Sequence, residues 1–207
     1  MMADGMPPPC APRRERKPIM SSNAIVPGSL SSMATQNGIS LAETFIGCDA
    51  IVIVDVSGSM DVRDSRGGQS RYDVALEELA ALQQALPGKI AVIAFSSSPV
   101  FVPGGVPPFL GASTNLAGAL QFAKVADVPS GDMRFFIISD GEPDDHEAAL
   151  AAARGYHNRI DTIYVGPESY PRGRDFLMQL AATSGGQSVT ADRVQELARV
   201  TQQLLLN

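Results

Sequence analysis

Short runs of almost unbroken apolar residues at 50–54, 90–95, 134–138 and 160–165 constrain this chain more than any other feature. Their length is that of strands, and uniform apolarity is what a strand shows when both faces of its sheet are covered. Between and after them lie stretches at helical spacing, 72–86, 115–126, 145–154, 172–184 and 192–206. Alternation of this kind predicts an α/β fold, a Rossmann-like doubly wound, mostly parallel sheet with helices on both faces. A further short run, 100–102, sits between Pro99 and Pro103 and belongs at a sheet edge, where a missing N–H is tolerated. Pro87-Gly88 stops the first helix and Gly185-Gly186 the fourth.

The chain divides near residue 40. Residues 1–40 carry Pro7-Pro8-Pro9, the charged stretch Arg13-Arg14-Glu15-Arg16-Lys17 and a Ser/Asn/Gly-rich run. Large apolar residues there are too few to offset the entropy of ordering, so the segment reads as a flexible tail, with 41–207 as the folded domain. Met20 and Met33 are alternative starts within it. The tail is +2 and the rest of the chain −8, within a total of −6. An acidic domain argues against a nucleic-acid binder held by phosphate contacts, although the basic cluster can touch an acidic partner. Cys10 and Cys48 are the only cysteines, which indicates neither a disulfide framework nor a zinc site and fits a reducing cytoplasm. No run reaches the length of a membrane span, and Met1 to Pro9 lacks the apolar core of a signal peptide.

In open α/β sheets ligands bind beyond the carboxyl ends of the strands, which directs attention to the residues just after each run. One such loop holds Asp55, Ser57 and Ser59, in the order Asp55-Val56-Ser57-Gly58-Ser59. Another is Gly111-Ala112-Ser113-Thr114-Asn115, and a third is Ser139-Asp140-Gly141-Glu142-Pro143. All three supply hard oxygen atoms of the kind that suit a magnesium ion. Taken singly, Ser57 and Thr114 also fit turn or helix-cap roles, and Asp140-Gly141 fits a plain turn.

Taken together and in this order, the loops resemble the metal-ion-dependent adhesion site of the von Willebrand factor type A family. The resemblance spans roughly 46–205 and rests on Ile53-Val54-Asp55-Val56-Ser57-Gly58-Ser59-Met60, Thr114-Asn115-Leu116 and Ile138-Ser139-Asp140-Gly141-Glu142-Pro143. It implies a sheet with one short antiparallel edge strand, and a divalent cation held, directly or through water, by Asp55, Ser57, Ser59, Thr114 and Asp140. Mg2+ is the ion implied, with Mn2+ and Ca2+ as alternatives. It further implies a non-catalytic module that recognises an Asp or Glu carboxylate on a protein partner, in an adaptor or scaffold role, with an ATPase among the candidate partners. Ser113 departs from the family, which often has glycine before the threonine; the following Asn-Leu register keeps Thr114 in place.

Remaining polar residues have ordinary readings. Glu142, Asp144, Asp145 and Glu147, with His146 among them, suit the positive end of a helix, and His157 suits a surface loop. Arg63, Asp64, Arg66, Gly67, Gly68 and Arg71 form a polar loop after the first motif, where they are either partner-selecting or plain surface. An aspartyl-phosphate phosphatase needs a second Asp where Ser57 stands, a hydrolase elbow needs Gly where Asp55 stands, and no phosphate-binding Gly-x-x-x-x-Gly-Lys sequence occurs. The alternative to a binding module is a metal-dependent hydrolase or phosphatase, or an accessory subunit of an ATPase or chelatase-type complex.

Overall fold

The computed structural model describes residues 24–129 and 131–190. Strands β1 (Ala50–Asp55), β2 (Ile90–Phe95), β3 (Pro99–Phe101), β4 (Arg134–Ser139), β5 (Ile160–Tyr164) and β6 (Ser188–Thr190) form a single sheet in the order β3-β2-β1-β4-β5-β6. All neighbours are parallel except β3, which pairs antiparallel with β2 at the edge. Each of the apolar runs named above became a strand. Every residue of β1 and β2 is buried, which is why neither shows alternation. Strand β6 was not foreseen; at three residues and half-buried it carries too little apolar signal.

Among the described residues six α-helices accompany the sheet: α1 (Leu30–Asn37), α2 (Leu41–Ile46), α3 (Arg71–Ala85), α4 (Leu116–Ala123), α5 (His146–Arg154) and α6 (Pro171–Thr183). One face of the sheet, with Ile51, Ile53, Ile93, Phe135 and Ile137, packs under α4, α5 and α6. On the opposite face Val52, Val54, Val92, Phe136 and Ile138 pack with Val74, Leu79 and Leu82 of α3. Each of these side chains contributes roughly 1.5–3 kcal/mol on burial. Helix α3 starts where Ser70 Oγ accepts the Asp73 N–H at 3.0 Å and stops before Pro87-Gly88. The helix foreseen at 192–206 lies outside the described residues.

The reading of 1–40 as one flexible tail requires correction over its last part. Ser29 caps α1, whose Leu30 is 1% exposed within the core beneath the sheet. The segment is also tied by backbone hydrogen bonds, Val26 N–H to Gly104 O at 3.1 Å, Ser31 N–H to Pro103 O at 3.0 Å and Gly88 N–H to Gly28 O at 2.8 Å. A single large apolar side chain and borrowed backbone partners order a stretch whose composition gives no such signal. Helix α2 then opens with a reciprocal capping box between Ser40 and Glu43.

Chain order across the sheet reverses at β1. From β1 the chain moves outward to β2 and β3, then returns through α4 to β4 on the other side. The carboxyl ends of β1 and β4 therefore flank a topological switch point, where ligands of open α/β sheets bind.

Candidate functional site

Asp55 is the last residue of β1 and is fully buried. Its Oδ1 accepts the Ser57 N–H at 2.9 Å, and its Oδ2 accepts the Ser139 hydroxyl, from the end of β4, at 2.7 Å. Burial above all, and then the nearby Asp140 carboxylate, push its pKa up to about 6, against the hydrogen bonds from Ser139 and Ser57. Ser57 follows, buried, with its Oγ 3.3 Å from Ser59 Oγ. It stands at the start of the 3-10 turn Gly58–Asp61 but makes no side-chain cap.

The second loop is joined to the first through its backbone. Val56 O accepts the Gly111 N–H at 2.9 Å, and Ala112 O accepts the Gly58 N–H at 3.1 Å. Ala112 takes a left-handed conformation, φ 63°, to make that turn. Helix α4 is capped by Asn115, whose Oδ1 accepts the Gly118 N–H at 2.9 Å. Thr114, 7% exposed, is therefore not the cap, and its hydroxyl makes no hydrogen bond among the described residues. Asp144 holds this loop to the third one by accepting the Thr114 N–H at 2.9 Å and returning its own N–H to Thr114 O at 3.0 Å.

Asp140, 1% exposed, closes the cluster beyond β4. Its Oδ2 accepts Nη1 of Arg71 at 2.7 Å, and its Oδ1 accepts a longer bond from the Glu142 N–H at 3.4 Å. Arg71 simultaneously grips Asp64 through Nε and Nη2, each at 2.8 Å. These two carboxylates, Asp64 first, raise the guanidinium pKa. The start of α6 locks Asp140 from behind. A Cβ on Gly173 would lie 1.9 Å from Asp140 O, and one on Gly141, at φ 77°, would lie 2.1 Å from Gly173 O.

The three loops are thus bound pairwise to one another, and they carry Asp55, Ser57, Ser59, Thr114 and Asp140 to one end of the sheet. Among the described residues no group of three or more His, Cys, Asp or Glu side chains could hold a metal ion. The donors here are of a different kind, hydroxyls flanked by two carboxylates. Of the two buried carboxylates, Asp140 is held by the Arg71 guanidinium and Asp55 by the Ser139 hydroxyl and the Ser57 N–H, and the Ser57 and Thr114 hydroxyls are not spent on capping. That donor set fits a small hard dication which retains water.

Sequence reasoning missed three contributors: Ser139 as the hydroxyl on Asp55, Asp144 as the tie to Thr114, and Arg71 as the buried partner of Asp140. Arg66 is not a free rim charge, since it pairs with Glu77 at 2.8 Å and Glu78 at 2.7 Å. Asp145 does cap α5, its Oδ1 accepting the Ala148 N–H at 2.9 Å, as the helix-start reading expects.

Sheet order and the antiparallel strand at one edge define a doubly wound, mostly parallel α/β domain. Among solved structures, an aerotolerance-related membrane protein of Bacteroides fragilis superposes with TM-score 0.58 at 17% identity, covering 76% of this chain and 98% of that one. BatB of Bacteroides thetaiotaomicron gives TM-score 0.57 at 16% identity, over 78% of this chain and 100% of the other. The vWF domain of the type V pili tip protein Mfa5 of Porphyromonas gingivalis gives 0.53 at 11% identity, over 76% and 94%. Comparison with protein-family models found no match. Comparison with curated proteins found none either. No helix among the described residues is long and apolar enough to cross a membrane.

Proposed function

We propose that this protein is a divalent-cation-dependent protein-binding module, in which Asp55, Ser57, Ser59, Thr114 and Asp140 hold a magnesium ion and an acidic side chain of a partner completes its coordination. The observation that carries this reading is the state of the hydroxyls. Ser57 stands at a helical turn and Thr114 beside a helix start, yet neither acts as a cap, and both are buried on loops whose backbone N–H groups bond a carboxylate, Asp55 for Ser57 and Asp144 for Thr114.

Magnesium takes near-octahedral oxygen coordination and gives up its waters reluctantly. Asp55 already accepts two hydrogen bonds and Asp140 is engaged by Arg71, so both are placed to act largely through water while neutral hydroxyls meet the ion. An ion with few charged ligands stays strongly electrophilic, and an incoming carboxylate can replace one of its waters. The likeness to the vWF domain of a pilus tip protein supports a role in protein interaction. An adaptor place in a larger assembly, with an ATPase as one candidate neighbour, follows from the same reading, while a cytoplasmic setting rests separately on the sparse cysteines.

The test pairs capture with turnover. In magnesium, immobilised wild-type protein retains partners that Asp55→Ala and chelator both release, and it hydrolyses no phosphomonoester. Magnesium-dependent phosphatase turnover abolished by Asp55→Ala would replace the binding reading with a hydrolytic one.

A further inference from the structure

We propose that Arg71 is the positioning residue that sets the cation preference of the site, holding Asp140 to a single free oxygen and so favouring magnesium over calcium. This rests on the reading of the site as a divalent-cation site. Arg71 is 8% exposed although it is the first residue of α3, and a guanidinium buried to this extent requires partners. It has two of different geometry. Asp64 binds it as a planar fork through both carboxylate oxygens at 2.8 Å, which fixes the plane of the guanidinium. The remaining nitrogen, Nη1, then points at one atom only, Asp140 Oδ2, at 2.7 Å. Asp140 is itself buried, and the close approach of Gly173 to its carbonyl oxygen fixes the backbone that carries the carboxylate.

One chemical consequence follows. With Oδ2 engaged by a cationic nitrogen that would repel a second cation, Asp140 presents Oδ1 to the site, directly or through a water, rather than both oxygens. Calcium draws its affinity from six to eight oxygens, bidentate carboxylates among them, and from summed ligand charge; magnesium is satisfied by fewer carboxylate contacts and several waters. An arginine that ties up one carboxylate oxygen at the site therefore penalises calcium more. Lysine is no substitute, because a point ammonium cannot hold the Asp64 fork and the Asp140 oxygen together.

Titration calorimetry with magnesium chloride and with calcium chloride, each alone, on wild type, Arg71→Met and Arg71→Lys tests this, with melting temperature in each ion as a second readout. Arg71→Met should shift the calcium-to-magnesium affinity ratio toward calcium by about tenfold, and Arg71→Lys should fall between it and wild type. If Arg71→Met does not fold, the Arg71→Lys ratio decides by the same rule. Ratios equal to wild type, with both ions still bound, overturn the role of Arg71 and leave the cation site standing. Absence of binding by wild type to either ion, with melting identical in ion and chelator, overturns the cation site and this role with it.

Discussion

At Asp55 burial and hydrogen bonding pull in opposite directions, and burial wins. The residue is held by the Ser57 N–H and the Ser139 hydroxyl, yet its pKa rises from an ordinary 3.8 to about 6 because the carboxylate sits out of water beside Asp140. For an acid whose folded pKa is raised, the native state binds more protons than the unfolded chain, so the cation-free protein loses stability as pH climbs through that window. A bound dication needs the deprotonated form and competes with the proton. Magnesium affinity should therefore fall about tenfold between pH 7.5 and pH 5, with protons released on binding near pH 6. Calorimetry in buffers of different ionisation enthalpy measures both quantities, and an affinity flat across that range contradicts the assignment of Asp55. The first motif was legible because its residues are adjacent in sequence and follow a buried strand. The partner of Asp140 was not, because Arg71 lies 69 residues away and only the fold brings the two together.

Among the elements, helix α1 departs furthest from expectation. Its composition gives little helical amphipathicity, and its one large buried side chain, Leu30, sits in a stretch of serines, alanines and polar residues. What orders it is tertiary, a plug into the core below the sheet and backbone bonds to the turns at 103–105 and 88. Leu30→Ala should cost about 2–5 kcal/mol in chemical denaturation, as for other core leucines. A change within about 0.5 kcal/mol would return residues 24–40 to the status of a dispensable tail. Strands behaved otherwise. Each apolar run predicted its strand to within a residue, since a strand buried on both faces writes its environment into every position. Starts of the helices foreseen at 72, 115, 145 and 172 were also legible to within a residue, but the capping side chain was not. Asn115 rather than Thr114 caps α4, a choice between neighbouring cap-competent residues that sequence pattern does not resolve and that leaves the threonine hydroxyl unused.

On the scale of the whole molecule, the fold does one thing for the site: it brings three loops from different strand ends to one switch point and ties them pairwise, Val56 to Gly111, Thr114 to Asp144 and Asp55 to Ser139. An ion bound there holds all three loops at once, so it should stabilise the domain as a unit. At a hundredfold excess over its dissociation constant a ligand of the native state adds about 2.7 kcal/mol. The central claim is that buried hydroxyls, flanked by two carboxylates, bind the cation. The direct measurement is magnesium titration calorimetry on wild type and on the double variant Ser57→Ala with Thr114→Ala, which leaves Asp55, Asp140 and Arg71 untouched. One ion per chain should bind wild type, and binding should be lost in the variant while its fold, followed by circular dichroism, persists. Equal magnesium affinity in the two proteins, or no binding by wild type, would contradict the claim.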